Sequence, residues 1–247
     1  MPSFAQSIST ALQLLGSADP VLWSVVARSL AVSGLACLIA CVVGVVLGAW
    51  LAVATFPGRG ALLALVNTLL AVPSVVVGLV VFLLLSRSGP LGFLGWLFSF
   101  QAMVLAQSVL VLPVVVALTR QVVEDAQQAH GEQLQSLGAR SALRAALLAW
   151  DERYALLTVV LAAFGRAVSE VGAVMVVGGN IEGFTRVMTT AIALETSKGD
   201  LPLALALGLV LLAVVLLLNV AIALLRRWRE RVEGDAPMPL GDAVLRA

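Results

Sequence analysis

The feature that most constrains this chain is a succession of apolar segments, each long enough to cross a lipid bilayer as a helix. A spanning helix needs about 20 mostly apolar residues. Charged residues make up only 12% of the chain, about half of the roughly 25% found in soluble domains. The sequence therefore predicts an all-α polytopic membrane protein with about five transmembrane helices, at residues 30–54, 61–85, 93–118, 154–177 and 201–225.

Two of these segments contain a proline, Pro73 in the second and Pro113 in the third. Prolines are tolerated within helix bundles because neighbouring helices can satisfy the freed backbone groups, usually at the cost of a kink. We therefore expect the second and third spans to be kinked.

Basic residues indicate which end of the bundle faces the cytoplasm. An N-out, C-in orientation puts four basic residues outside, namely Arg28, Arg87, Arg186 and Lys198. It puts ten inside and leaves Arg166 within the fourth span; the ten are Arg59, Arg120, Arg140, Arg144, Arg153, Arg226, Arg227, Arg229, Arg231 and Arg246. The tryptophans then fall at both membrane boundaries, as an aromatic belt requires. The sequence predicts the N-out, C-in topology.

The rest of the chain divides around these spans. Residues 1–29 form an outer or interfacial segment, in which 8–15 would be a short interfacial helix. The chain would restart at Asp19 and Pro20, and 21–27 would extend the first span outward. Residues 30–225 form the transmembrane domain, with a cytoplasmic loop at 119–153 and an outer loop at 178–200. Residues 226–247 form a basic cytoplasmic tail, expected to be disordered beyond Gly234.

The residue inventory disfavours an enzyme. The chain has no phosphate-binding Gly-rich loop ending in Lys and Ser or Thr, so it has no ATP-binding site of that kind. The single histidine, His130, lies in the cytoplasmic loop, which excludes a Ser–His pair within the membrane. Cys37 and Cys41 lack further ligands and read as packing residues, so no metal and no cofactor are expected. A net charge of +1 does not suggest a nucleic-acid partner.

The cytoplasmic loop has helical spacing of apolar residues on both sides of Gly138. Glycine commonly ends a helix, and Ser141 then has the residue type of an N-cap for a second helix over 142–148. The pattern predicts a helix–turn–helix with a small exposed turn at 138–141. Two interpretations remain open: a plain amphipathic connection, or a rigid docking element for a cytosolic partner.

The fourth span carries two charges, Arg166 and Glu170, four residues apart and therefore on one helix face. A lone charge at the bilayer centre costs roughly 2.5–3.5 kcal/mol on insertion scales, so the two are expected to pair. They are either a structural ion pair or, with Ser169 and Gly172, part of a translocation path or dimer interface. Small residues around them predict close helix packing.

The outer loop at 178–200 contains a segment, 187–194, that is too short to span the membrane. A short re-entrant or surface helix is allowed there only if protein buries it or water reaches it. The segment is either an ordinary loop or an outer gate, whose candidate residues are Asn180, Glu182, Arg186 and Thr189.

Three stretches resemble a known family. Residues 132–138 look like the start of the cytoplasmic EAA loop of ABC-importer permeases, with Glu132, Gly138 and Leu148 at matching positions. Gln133 and Leu134 replace two alanines of that pattern, and Trp150 and Asp151 replace its Leu-Pro ending. Residues 164–175 are similar to the same span of molybdate/tungstate-type permeases, and residues 178–196 are similar to the tungstate permease subfamily.

The resemblance implies a type I ABC importer transmembrane fold in the cell inner (plasma) membrane. It implies a homodimer that works with two cytosolic ABC ATPase subunits and an extracytoplasmic substrate-binding protein, which the outer segment could contact. The implied substrate is an oxyanion, tungstate first and molybdate second, with ATP hydrolysed on the partner subunits. The implied ATPase-coupling residues are Glu132, Ser136, Leu137, Gly138, Ala139 and Arg140.

An alternative is a secondary transporter that uses Arg166 and Glu170 as a proton-linked pair. Such transporters are usually built from internal repeats, and the sequence has no convincing repeat.

Overall fold

The computed structural model describes residues 4–17 and 19–234, and within this range it is a bundle of ten α-helices with no strand. A single 3₁₀ turn lies at Gly92–Leu94. The prediction of an all-α fold is confirmed. The helices are α1 (Phe4–Gly16), α2 (Pro20–Val53), α3 (Arg59–Ala71), α4 (Ser74–Leu85), α5 (Phe100–Ser136), α6 (Ser141–Asp151), α7 (Arg153–Val168), α8 (Gly172–Gly178), α9 (Met188–Lys198) and α10 (Leu201–Gly234).

Three of these helices, α2, α5 and α10, are long and apolar enough to cross a membrane by themselves. Two consecutive pairs pass the same test together but are bent, by 102° between α3 and α4 and by 57° between α7 and α8. The predicted number of about five spans is therefore reached when each bent pair counts as one span.

The second predicted span, 61–85, is not one kinked helix but two helices that meet almost at a right angle. Pro73 cannot donate a backbone hydrogen bond and disfavours helical geometry at the residue before it. Val72 and Pro73 accordingly have extended backbone angles. The bend at Pro73 is therefore much larger than the predicted kink. Pro113, in contrast, lies inside α5 without interrupting that helix.

The first span begins earlier than residue 30. The Asp19 carboxylate accepts hydrogen bonds from the backbone N–H groups of Val21 and Leu22, each at 2.9 Å, and so caps α2 at Pro20. The restart at Asp19 and the outward extension over 21–27 are confirmed. The boundary predicted between 29 and 30 falls inside α2, so the outer segment and the first span share one helix. Helix α1 packs against α10, with Ala11 fully buried.

The third span begins later than predicted and runs much further. Ser99 caps α5 at Phe100, so residues 93–99 belong to the preceding loop. Helix α5 then continues to Ser136, which makes it about 55 Å long at 1.5 Å per residue, against about 30 Å of bilayer core. The first arm of the predicted cytoplasmic loop is therefore a continuation of the spanning helix α5.

The two broken spans meet where each is broken. An added Cβ at Gly78 of α4 would lie 2.7 Å from the Ala173 Cα of α8, and one at Gly172 would lie 2.7 Å from the Ser74 Oγ. Helices α4 and α8 thus approach to backbone contact, as small residues permit in membranes. The breaks at Pro73 and at 169–171 consequently lie side by side in the bundle.

We expect Gly78→Val to destabilise the folded protein by about 1–3 kcal/mol, because overpacking at this contact forces two backbones apart. Thermal unfolding of the purified protein in detergent measures the effect. Gly208→Val in α10 is the matched control, since a Cβ there meets nothing within 4 Å. Equal melting temperatures for the two variants would contradict the close contact of α4 and α8.

Candidate functional site

The turn between α5 and α6 lies at the end of the bundle that the sequence predicts to be cytoplasmic. The Ala139 N–H donates to the Leu134 carbonyl at 3.0 Å, and the Gly138 N–H donates to the Gln135 carbonyl at 2.9 Å. This is the Schellman pattern, which places the residue after the helix in the left-handed region, and Gly138 has φ +77°. The prediction of a break at Gly138 is confirmed.

The second arm starts slightly differently from the prediction. Arg140 is the N-cap of α6, and Ser141 is its first residue, with no side-chain capping hydrogen bond. The prediction of Ser141 as the N-cap was wrong, because the extended backbone needed at the cap already occurs at Arg140 (φ −67°, ψ 159°). Helix α6 also runs to Asp151 and not only to 148.

The hairpin of α5 and α6 is attached firmly to the bundle. Ala145 and Leu148 of α6 are buried in one cluster with residues of α2 and α5, including Ala49, Val53 and Val123. The tip, in contrast, is open, with the Leu137 side chain 81% exposed. The structure brings the predicted coupling residues to this one tip; Ala139 is partly buried, and the exposed ones are Glu132, Ser136, Leu137, Gly138 and Arg140.

Helix α6 leads into α7 through a single residue, Glu152. The Arg153 guanidinium donates to the Trp150 carbonyl at 3.1 Å and lies 4.6 Å from the ring centroid of Tyr154. The Tyr154 ring in turn packs edge-on against Trp228 of α10 at 4.8 Å. Asp151, at the position of the family's proline, lies in the last turn of α6, and only Glu152 separates α6 from α7.

Arg166 and Glu170 pair within the membrane, as predicted, with 2.8 Å between Nη1 and Oε2. They are not on one face of a continuous helix, because α7 ends at Val168 and Glu170 lies in the break before α8. The other Glu170 oxygen, Oε1, accepts from the Ala173 N–H at 3.2 Å and so stabilises the start of α8. Glu170 is 5% exposed, while the Arg166 side chain is 48% exposed.

A polar layer surrounds Glu170 at the centre of the bundle. The Thr189 hydroxyl of α9 donates to the Glu170 carbonyl at 2.7 Å. The Gln107 amide of α5 donates to the Ala167 carbonyl at 3.0 Å, while its Oε1 has no hydrogen-bond partner among the described residues. Ser33 of α2, Gln107, Glu170 and Thr189 line a narrow gap between the helices, which has no room for a water molecule. The layer is therefore packed closed.

Sequence reasoning missed Gln107. The signal was present, because Gln107 is an amide within an otherwise apolar segment, and buried polar groups in a membrane usually have a partner or a function. Ser29 was missed because it lies just before the predicted start of the first span at residue 30. In the structure it lies within α2, and its hydroxyl accepts a hydrogen bond from the Met188 N–H at 2.6 Å.

The predicted outer loop is bound by Arg28, which the sequence used only to orient the chain and not as a site residue. Arg28 of α2 donates to the carbonyls of Gly183 at 2.7 Å and Arg186 at 3.1 Å. The Arg186 side chain is 13% exposed and lies 3.4 Å from a Glu182 oxygen and 3.8 Å from a Glu195 oxygen. The loop is therefore an ordered, charge-paired cap on the end of the bundle that is predicted to face outward; we call it the outer cap.

The predicted outer-gate residues do not form one group. Glu182 is exposed and Arg186 is mostly buried in its ion pairs. Asn180 donates to the Thr190 carbonyl at 3.3 Å, and Thr189 belongs to the layer around Glu170. Helix α9 itself packs against α10 and α2, so the short segment there is buried by protein, as the sequence argument required.

The chain is similar to named transport proteins over most of its length. It is 40% identical over 226 residues to the tungstate uptake system permease protein TupB of Peptoclostridium acidaminophilum, covering 90% of this chain and 97% of that protein. It is 42% identical over 216 residues to a probable anion ABC transporter permease protein of Haloferax volcanii, covering 85% and 92%. It is 33% identical over 188 residues to the sulfate transport system permease protein CysT of Salmonella typhimurium, covering 72% and 68%. No protein-family model matches the chain.

Proposed function

Because this chain belongs to the permeases of ABC importers for tungstate and related anions, we propose that it carries tungstate across the membrane while separate subunits hydrolyse ATP. The chain is a multi-pass membrane protein of that family. The proposal adds its substrate, its coupling to ATP hydrolysis and its partners.

One observation supports the coupling in particular: the exposed tip of the α5–α6 hairpin. A helix that continues unbroken from the outer end of the bundle to Ser136 acts as a stiff rod, and the turn at its end exposes Leu137 without a partner in the described chain. Exposed apolar side chains on a rigid scaffold suit a protein partner. We propose that each tip docks on one of two ATPase subunits, with Glu132, Ser136, Gly138, Ala139 and Arg140 as further coupling residues.

The proposed assembly also contains a second copy of the chain and an extracytoplasmic binding protein. The ordered outer cap, held by Arg28 and carrying exposed Glu182, is the proposed contact for the binding protein. Arg166, Ser169, Glu170 and Gly172 are the proposed residues of the path or the dimer interface.

Tungstate is proposed over sulfate because relatives named for tungstate match at 40% and 42% identity, whereas those named for sulfate match at 29–35%. Molybdate has the same shape and charge, so only competition separates the two anions.

Uptake of labelled tungstate into vesicles that contain the complete complex, with ATP inside and binding protein outside, tests the proposal. We expect ATP-dependent uptake that excess unlabelled tungstate suppresses at lower concentration than molybdate or sulfate. Uptake that persists without ATP would instead favour the secondary transporter built on Arg166 and Glu170. Suppression by sulfate at the lowest concentration would reject tungstate as the substrate.

A further inference from the structure

A crevice of about 330 Å³ opens between α7 and α10. Most of its wall is aliphatic, but three polar side chains line it: Arg166 and Ser169 from the end of α7, and Asn219 from α10. Pockets of roughly 300–1,000 Å³ hold drug-sized ligands, so the crevice has room for a five-atom anion together with some of its water.

The depth of these side chains follows from the ring contact between Tyr154 and Trp228, which fixes the register of α7 against α10. At 1.5 Å per residue, Arg166 lies about 18 Å along α7 from Tyr154, and Asn219 lies about 14 Å along α10 from Trp228. The two positions therefore lie at similar depth, near the middle of a bilayer core about 30 Å thick.

A side chain as polar as arginine does not face lipid at this depth. Charged residues in spanning helices almost always face the bundle interior or a water-filled cavity, yet the Arg166 side chain is 48% exposed in the single chain. The opposite side of α10 behaves differently, with Leu217 and Leu224 68% and 59% exposed, as expected for residues that contact lipid. The α7–α10 crevice therefore faces water or another protein chain in the assembly, and not lipid.

We propose that this crevice is a transit site for a tetrahedral oxyanion, with Asn219 as a previously unassigned ligand beside Arg166 and Ser169. The inference rests on the proposed function, because it takes the transported ion to be an oxyanion. Arginine has five N–H donors in a fixed fork, and Glu170 occupies the Nη1 group. The remaining donors are available to an anion.

Asn219 and Ser169 can bind the same anion as Arg166 without a change of fold. The Asn219 amide uses one N–H on the Val215 carbonyl at 2.9 Å, and its second N–H is free to reach the crevice. The Ser169 hydroxyl donates to carbonyls of its own turn and can rotate away from them. The Glu170 carboxylate offsets the charge of Arg166 and so limits how tightly the crevice would bind an anion. Weak binding suits a transport path, because an ion that binds too tightly cannot leave.

Accessibility separates this proposal from a lipid-facing or dry crevice. The probe is a negatively charged methanethiosulfonate reagent, applied to the complete complex with Asn219→Cys in a Cys37→Ala, Cys41→Ala background. Leu217→Cys, on the opposite side of the same helix, is the matched control. We expect Asn219→Cys to react at least about tenfold faster than the control, since thiolates react only where water reaches them, and excess tungstate to slow the reaction. Equal, slow labelling of both would overturn the proposal.

Transport gives a second, independent test. We expect Asn219→Ala to reduce the uptake rate about tenfold, as for one lost hydrogen bond to a charged group, and Asn219→Asp to reduce it further by repelling the anion. ATP hydrolysis stimulated by the binding protein should persist in both, which shows that the complex is assembled. Wild-type uptake by both variants would overturn the transit site. A wild-type complex that transports no oxyanion would instead overturn the proposed function.

Discussion

Replacing Gly138 by alanine is expected to reduce ATP-driven uptake at least about tenfold, which corresponds to ~1.4 kcal/mol, while the protein still folds and inserts. A Cβ at Gly138 meets nothing within 4 Å in the isolated chain, so the change creates no internal clash. It does add a side chain at the tip that we propose docks on the ATPase. Uptake into vesicles, normalised to the amount of permease, measures the loss.

Backbone strain is the competing explanation, and a matched glycine separates the two. Gly58, in the turn between α2 and α3, also has a left-handed backbone (φ +91°) and also has open space around an added Cβ. Alanine costs ~1–2 kcal/mol in the left-handed region at either position. If Gly58→Ala impairs uptake as severely as Gly138→Ala, strain explains both and the docking role of the tip fails.

Replacing Glu170 by alanine is expected to destabilise the fold by about 3 kcal/mol. This is the lower end of the range for removing one partner of a buried ion pair, chosen because Arg166 is half exposed. The change leaves the Ala173 N–H without its acceptor at the start of α8 and leaves Arg166 without its counter-ion near mid-membrane. Thermal unfolding in detergent and the yield of monodisperse protein measure the effect.

Two further variants give this prediction its control. Glu182→Ala also removes a carboxylate from an arginine, but Glu182 is 72% exposed, and exposed pairs contribute about 0–1 kcal/mol. The double variant Arg166→Gln, Glu170→Gln removes both charges and should recover part of the stability that Glu170→Ala loses. A melting temperature for Glu170→Ala equal to that of Glu182→Ala would contradict the structural role of Glu170.

The number and approximate position of the apolar segments were predictable. In lipid the backbone N–H and C=O groups must be hydrogen-bonded within the protein, and long apolar helices meet that requirement. The turn at Gly138 was predictable for a local reason, since its residue type and spacing dictate a helix end. The continuity of α5 was also readable in principle: between Leu118 and Gly138 the only glycine is Gly131, and no proline interrupts the helical spacing.

The bends were not predictable from local sequence. Helix α4 packs against α8 through Gly78 and Ala173, and α3 packs against α5, so both halves of the bend contact residues far away in the chain. The same holds for Glu170, whose partners come from α7, α8 and α9. Spacing four residues after Arg166 predicted the ion pair, but it could not reveal that the helix between them ends.

A photoreactive amino acid placed at Leu137 in the assembled complex tests the central claim most directly. Leu137 is the most exposed apolar side chain of the α5–α6 tip, 81% exposed in the isolated chain. We predict that illumination links this position to the ATP-hydrolysing subunit, and that the same group at Phe184 on the outer cap, 75% exposed, does not. Crosslinks from Leu137 only to lipid or to another copy of the permease would contradict the claim that this turn couples ATP hydrolysis to transport.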